Sequence, residues 1–464
     1  MYEDLALKQK LFFELYGRRL LQAETACTED ELRFGVMQKI IEEIPGIIRK
    51  SNQMVCNGCG NQEPSKFAFH SCLKCGKNKC YYCRSCISLR KISMCTPLYI
   101  WKDCIDFPLP PENLTEDLLD WSGKLTYGQQ HASQIMIQQI ERKQDALVYA
   151  VAGAGKTEMM FQPIAYALSK GKRVCFAAPR TDVILELAPR LQKVFPKIPI
   201  GIYYGGSEYR NPHASFILTT THQLMRFEKY FDVCILDESD AFPYKIEHTL
   251  QFSLMKSLKP SHSLIYCTAT PEPKLLRKLQ KEKIPIVFIS RRFHGRPLEI
   301  PEFYWVGNWK KQLTNQCLPT KLRIKIKKAL SKKRQVFLFV PTIDIAKQTE
   351  QILRKYSIHA VSVHAEDKNR KSKVEAFRKK EFDVIVTTTI LERGVTVPYT
   401  DVFVLGSEAD IFDCSALIQI CGRAGRYFDD TDAHIYFFHK GITKAMRQAK
   451  KRIIQMNQKG EKEK

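Results

Sequence analysis

One short segment restricts this chain more than any other: an apolar run that breaks into glycines and then into a helix. Residues 146–151 read Ala-Leu-Val-Tyr-Ala-Val, which is strand length. Ala152-Gly153-Ala154-Gly155-Lys156-Thr157-Glu158 follows at once, and residues 156–169 carry a helical pattern. Strand, glycine turn and helix in that order form the setting of a phosphate-binding loop. Glycines let backbone N–H groups wrap phosphates, and the helix N-terminus favours anionic charge. Lys156 is placed to reach the β- and γ-phosphates, and the Thr157 hydroxyl to hold Mg²⁺. Ala152, Gly153, Ala154, Gly155 and Glu158 complete the expected ATP cradle, with Ala150 standing where the full pattern has its first glycine.

Downstream, apolar strands and amphipathic helices alternate, which predicts parallel α/β sheets. Val233-Cys234-Ile235-Leu236 runs into Asp237-Glu238-Ser239-Asp240. An apolar strand ending in two acids suits a Walker B site, with Asp237 on Mg²⁺ and Glu238 polarising the attacking water. Thr268-Ala269-Thr270 follows another apolar strand. In the second half, Gln419-Ile420-Cys421-Gly422-Arg423-Ala424-Gly425-Arg426 spells Q-x-x-G-R-x-G-R. Arg423 and Arg426 carry permanent charge on planar forks that match phosphate oxygens, and are expected to act as arginine fingers. Thr388 to Thr396, with Arg393 and Gly394, reads as a helicase-type segment touching nucleic acid and nucleotide. Leu125-Thr126-Tyr127-Gly128-Gln129 places Gln129 to read an adenine edge. Pro179 and Arg180, and Thr220, Thr221 and His222, close strands where backbone phosphates would be met. Taken singly, these last segments read as loop caps.

The 464 residues suggest about three units. The expected division is a helical segment 1–50, a cysteine module 51–104, a linker 105–123 around Phe107-Pro108-Leu109-Pro110-Pro111, a first lobe 124–295, a hinge 296–320 and a second lobe 321–464. Lys and Arg number 73 against 49 Asp and Glu, a formal charge of +24, which points to a polyanionic partner. Lys321–Arg334 reads as a basic amphipathic helix, and residues 442–464 as a Lys-rich basic helix that frays at its end. The N-terminus lacks a secretory pattern and no run approaches membrane-span length, so a cytoplasmic location is expected.

Nine of the sixteen cysteines lie between Cys56 and Cys104. Clustered C-x-x-C pairs in such a chain point to metal, not disulfides. Zinc on Cys56, Cys59, Cys83 and Cys86 is the first assignment. The pair Cys72 and Cys75, or a second ion using Cys80, stays open, as does iron–sulfur ligation. Arg84, Arg90 and Lys91 nearby suit a nucleic-acid or protein contact, and a purely structural zinc is the competing reading.

The motifs together resemble superfamily 2 helicases, and the layout resembles a narrower family, the late-competence DNA-uptake ATPases (ComFA) of transformable Gram-positive bacteria. The resemblance rests on Tyr82-Cys83-Arg84-Ser85-Cys86, Gly153 to Met159, Pro179 to Val183, Thr220 to Leu224, Asp240 to Tyr244 and Thr388 to Thr396. It implies two tandem RecA-like lobes behind a zinc module, and an ATPase pulling single-stranded DNA across the membrane in transformation. It further implies peripheral membrane association, ComFC-like and ComEC-like proteins and DNA-processing factors as partners, and homo-oligomers are an option. A replication-restart helicase resembling PriA is the nearest rival, and a zinc-dependent assembly scaffold the rival of another kind.

Overall fold

The computed structural model describes all residues except 1, 51–52, 104–117, 208–209, 242, 245, 393–394, 396 and 463–464. The Pro-rich linker, Cys104, Arg393, Gly394 and Thr396 therefore lie outside the described residues. By packing, the chain falls into two compact units. One holds Met1–Val148 and Thr157–Val287, the other Tyr149–Lys156 and Phe288–Lys464. Among the described residues no helix is long and apolar enough to cross a membrane.

The first hundred residues are more interleaved than the expected helix-then-cysteine order. Helices Tyr2–Leu15 and Glu29–Met37 are joined by strands β1 (Arg19–Leu20), β2 (Ile41–Ile44), β3 (Ile47–Lys50), β4 (Gln53–Cys56), β5 (Phe67–His70), β6 (Cys80–Cys83) and β7 (Leu98–Trp101). β7 returns from beyond the cysteines and pairs antiparallel with both β1 and β2. Residues 41–44 and 47–50 are thus strand, not helix. The β-branched Ile41, Ile44, Ile47 and Ile48 suit it, and for β2 the partner strand is supplied over fifty residues later. Leu11, Leu15, Leu20, Leu32, Ile40 and Tyr99 form the small core beneath. Thr28 and Glu31 close the second helix with a reciprocal cap, the Thr28 hydroxyl accepting from Glu31 N at 3.2 Å and the Glu31 carboxylate from Thr28 N at 2.7 Å.

This module is fixed to the rest of its unit by buried charge. Arg90 is 6% exposed, and its guanidinium donates to Glu24 at 2.6 Å, to the Arg19 carbonyl at 2.8 Å and to the Met225 carbonyl at 2.8 Å. Arg226 meets the other Glu24 oxygen at 2.9 Å. Arg90, read from sequence as a surface cation, is therefore a docking residue. Burial pushes the Glu24 carboxyl up, but Arg90 and Arg226 outweigh it and hold it below its ordinary value.

The first large sheet has seven strands: β8 (Ala146–Ala150), β9 (Val174–Ala178), β10 (Ile200–Tyr203), β11 (Phe216–Thr220), β12 (Phe231–Asp237), β13 (Leu258–Thr268) and β14 (Ile286–Ile289). Their spatial order is β10-β11-β9-β12-β13-β8-β14, with β10 through β13 paired parallel. β9 and β11 are buried along their whole length. A strand covered on both faces reads as a continuous apolar run, as these do.

The second sheet holds β15 (Glu302–Trp305), β16 (Gln335–Phe339), β17 (Ala360–Val363), β18 (Val384–Thr387), β19 (Thr400–Leu405) and β20 (Ile435–His439). The order is β15-β20-β19-β16-β18-β17, all parallel. The stretch 296–320, expected as a hinge, supplies β15 and the helix Trp309–Thr314. Trp309 is fully buried there, and its indole N–H donates to Glu408 at 2.8 Å. The basic helix Thr320–Ser331 buries Leu322 and Ile326, as its four-residue spacing predicts, and leaves Lys321, Lys327 and Lys328 exposed, while Lys325 lies over the Tyr304 and Tyr436 rings. Lys444–Lys462 forms the expected C-terminal helix.

Removing the carboxylate from the Glu24 node leaves buried Arg90 and half-buried Arg226 without their counter-charge, so Glu24→Ala is expected to cost about 3–5 kcal/mol. Thermal unfolding of the variant checks this. Because the folded pKa is depressed, the contribution is intact above the ordinary glutamate value of about 4.3 and is lost as pH falls through the lower folded value.

Candidate nucleotide site and cysteine module

The glycine turn after β8 has the backbone its sequence requires. Gly153 has φ +83° and Gly155 φ +70°, left-handed conformations that a side chain disfavours. The helix Lys156–Ser169 starts on the lysine itself. Phe293 N donates to the Gly153 carbonyl at 3.0 Å. Within the same unit, Gly422 packs so closely on Ala152 that a side chain there would collide with it. The phosphate-loop segment and the G-R-x-G-R segment thus share one packed body.

Asp237 ends β12 in parallel register with Cys267 of β13, so the acidic pair and Thr268-Ala269-Thr270 emerge side by side. Glu238 has φ +54°, a strained conformation for a side-chain-bearing residue, and such strain gathers at functional positions. Asp240 is buried and accepts hydrogen bonds from both Thr268 and Thr270 hydroxyls, one on each carboxylate oxygen. The acidic motif is thereby locked to the next strand end, a link that neither motif reveals alone.

In the second unit, Arg423 is 4% exposed and donates to the Glu392 carbonyl at 2.7 and 2.8 Å and to the Val395 carbonyl. It pins the segment after β18 to the end of helix Cys414–Cys421. Arg426 is partly exposed, with Nε donating to the Gly422 carbonyl at 2.9 Å. Gln129 Oε1 accepts from Thr126 N at 2.8 Å and closes the cap of helix Tyr127–Arg142.

The strand ends expected to face nucleic acid are built alike in both sheets. Thr219-Thr220-Thr221 ends β11 and enters a 3₁₀ turn, and Thr387-Thr388-Thr389 does the same after β18. Thr219 Oγ1 donates to the Thr220 carbonyl at 3.0 Å, and Thr387 Oγ1 to the Thr388 carbonyl at 3.2 Å. His222 lies in the first of these turns, and burial holds its imidazole below the ordinary range. Pro179 and Arg180 follow β9, where Arg180 occupies the N-cap position of helix Thr181–Val194.

The cysteines converge in two sets of four. The sulfurs of Cys56, Cys59, Cys83 and Cys86 all lie within 4.8 Å of one another and are fully buried. Cys56 and Cys86 sulfurs are 3.7 Å apart, Cys59 and Cys83 3.6 Å. A tetrahedron with Zn–S bonds of about 2.3 Å has edges of about 3.8 Å. The set therefore fits the zinc assigned from sequence. Cys72, Cys75, Cys80 and Cys95 form the other set.

The residues that sequence reading passed over are Glu24 and Arg292, and Cys95, near the other cysteines in the sequence, is given its place only by the fold. Arg292 is 2% exposed, lies against Gly153 and donates Nη1 to the Gly425 carbonyl. Its Nε and Nη2 have no hydrogen-bond partner among the described residues. Burial and the neighbouring Arg426 lower its pKa to about 10. The available signal was an Arg-Arg pair directly after an apolar strand, Ile286–Ile289.

Two parallel sheets, each carrying its half of the nucleotide motifs at strand ends, define a helicase-like ATPase with RecA-like lobes. Residues 122–273 match the family described as type III restriction enzyme, res subunit, and 320–428 the helicase conserved C-terminal domain. Residues 6–100 match the competence protein ComFA N-terminal domain. Competence protein ComFA of Bacillus subtilis is 42% identical over 456 residues, 98% of this chain and 97% of that one. Its Streptococcus pneumoniae counterpart is 35% identical over 454 residues, 97% and 99%. This chain belongs to the ComFA family. In fold it is also similar to S. cerevisiae Dbp5 bound to RNA and ADP BeF₃, with TM-score 0.51 and 15% identity over 72% of this chain and 91% of that one.

Asp240→Ala leaves two buried hydroxyls without their acceptor and is expected to destabilise the chain by about 1–3 kcal/mol. Urea unfolding measures it. Asp240→Asn, which keeps one acceptor oxygen, should fall between the variant and the wild type.

Proposed function

We propose that the chain is an ATP-driven, single-stranded-DNA-stimulated translocase acting in DNA uptake during natural transformation. The observation that carries this reading is the packing of the phosphate-loop segment Tyr149–Lys156 in one unit with Arg292, Arg423 and Arg426. A guanidinium buried beside a glycine turn, with donor groups unused by the described residues, is a cation held for an anion. Membership of a competence family and a formal charge of +24 support DNA as the polyanion.

In this reading Lys156 and the N–H groups of Ala152, Gly153, Ala154, Gly155, Thr157 and Glu158 bind the phosphates. Thr157 and Asp237 would hold Mg²⁺, which supplies charge neutralisation at the transferred phosphoryl group. Glu238 orients the attacking water and takes its proton. Arg426 and Arg292 would face the developing charge, while Arg423 acts with them and holds the Glu392 and Val395 carbonyls; Gly394 would add to the nucleotide contact. Gln129, its oxygen engaged in the helix cap, would offer adenine its amide N–H groups. Pro179, Arg180, Thr220, Thr221 and His222 of the first sheet, and Thr388 and Arg393 of the second, would contact DNA. Zinc on Cys56, Cys59, Cys83 and Cys86 would hold the N-terminal module in shape. Peripheral contact with the membrane, ComFC-like and ComEC-like partners and self-association belong to the same reading.

Steady-state ATP hydrolysis alone, with single-stranded DNA, with duplex and with RNA tests it. Strong stimulation by single-stranded DNA is expected, and no response to any nucleic acid would sink the motor assignment. Glu238→Gln should still bind ATP and DNA while turnover falls about 10²–10⁴-fold. Unchanged turnover in that variant removes Glu238 from the role.

A further inference from the structure

We propose that the N-terminal module holds two zinc ions, the second on Cys72, Cys75, Cys80 and Cys95. These four sulfurs also lie within 4.8 Å of one another. Cys95 is 3.6 Å from Cys72 and 3.6 Å from Cys80, again close to the edge of a tetrahedral zinc–thiolate set, about 3.8 Å.

The local backbone repeats that of the first site. Cys56-Asn57-Gly58-Cys59-Gly60 and Cys72-Leu73-Lys74-Cys75-Gly76 share the pattern C-x-x-C-G. In the first, Gly60 N donates to the Cys56 carbonyl at 2.8 Å and Cys56 N to the Asn61 carbonyl at 3.0 Å. In the second, Gly76 N donates to the Cys72 carbonyl at 2.9 Å and Cys72 N to the Lys77 carbonyl at 3.0 Å. Gly60 and Gly76 take the same left-handed turn, φ +71° and +68°. A turn that aims two thiolates at one point has been built twice, and each copy is met by two further cysteines.

The remaining ligands come from one hairpin and its neighbour. β6 gives Cys83 to the first site and Cys80 to the second. Three residues apart on a strand, they face opposite sides. Met94 N donates to the Tyr81 carbonyl at 2.9 Å, which lays Cys95 alongside. Four thiols brought together with no disulfide between them are a soft-metal set. The two sites differ in cover. The first is sealed, whereas Cys72, Cys75 and Cys95 are partly exposed and Leu73 stands fully in solvent. The outer ion is therefore the one a chelator reaches first.

The test is the metal content of the full-length chain purified without chelator. Two zinc ions per chain are expected, falling to one in Cys72→Ser/Cys75→Ser. One ion in the wild type, an undiminished count in the variant, or iron in place of zinc overturns the proposal. Should the double variant not fold, the wild type still decides: a colorimetric chelator is expected to withdraw two equivalents in two steps, and release of a single equivalent refutes it.

Discussion

The half-buried carboxylate of Glu24 is the contact on which the N-terminal half of the first unit depends. It is approached by Arg90 from the cysteine module and by Arg226 from the turn that follows β11. A second pair, Arg19 with Glu228, spans the same seam at 2.9 Å, and Lys256 lies 3.7 Å from the same Glu228 carboxylate. Ion pairs this deep contribute less to net stability than to register, since desolvation offsets much of the attraction. What they fix here is where the cysteine module sits on the turn holding Thr221 and His222. Any rearrangement of that turn is felt directly by Met225 and Arg226, hence by the module.

The two sheets solve the same problem with the same local parts. Each ends a wholly buried strand in a run of threonines whose first hydroxyl is tied to the next carbonyl. The rest of the run is carried into a short 3₁₀ turn. Each also ties its motif to a neighbouring segment: Asp240 accepts from two threonine hydroxyls, and Arg423 donates to two carbonyls. The geometry of the candidate site therefore rests on a small number of hydrogen bonds, and substitutions beside the motifs are expected to act through it.

Much of this was legible in the sequence. The phosphate loop, the acidic pair and the G-R-x-G-R segment each carry a local pattern whose meaning is fixed by the strand before it, and the fold follows from their order. The strands of the second sheet were equally clear, because burial on both faces leaves unbroken apolar runs such as Val336 to Phe339. What stayed hidden depends on residues distant in the chain. Residues 41–44 look helical until β7 arrives to pair with them. Arg90 reads as a surface cation until Glu24 is found beside it. Cys95 has no C-x-x-C partner, so its place in a set of four depends on the hairpin that brings it near Cys72. Arg292 belongs to no motif and is recognisable only by its burial against Gly153.

The strand Cys80-Tyr81-Tyr82-Cys83 has one further consequence. Its two cysteines serve opposite faces because an odd number of peptide units separates them. Loops on either side can lengthen without disturbing either set of sulfurs. Adding or deleting a single residue between Cys80 and Cys83 would turn both thiols to the same side, taking a ligand from one set while crowding the other. In a module made largely of turns, the spacing of these two cysteines is the dimension that has no slack.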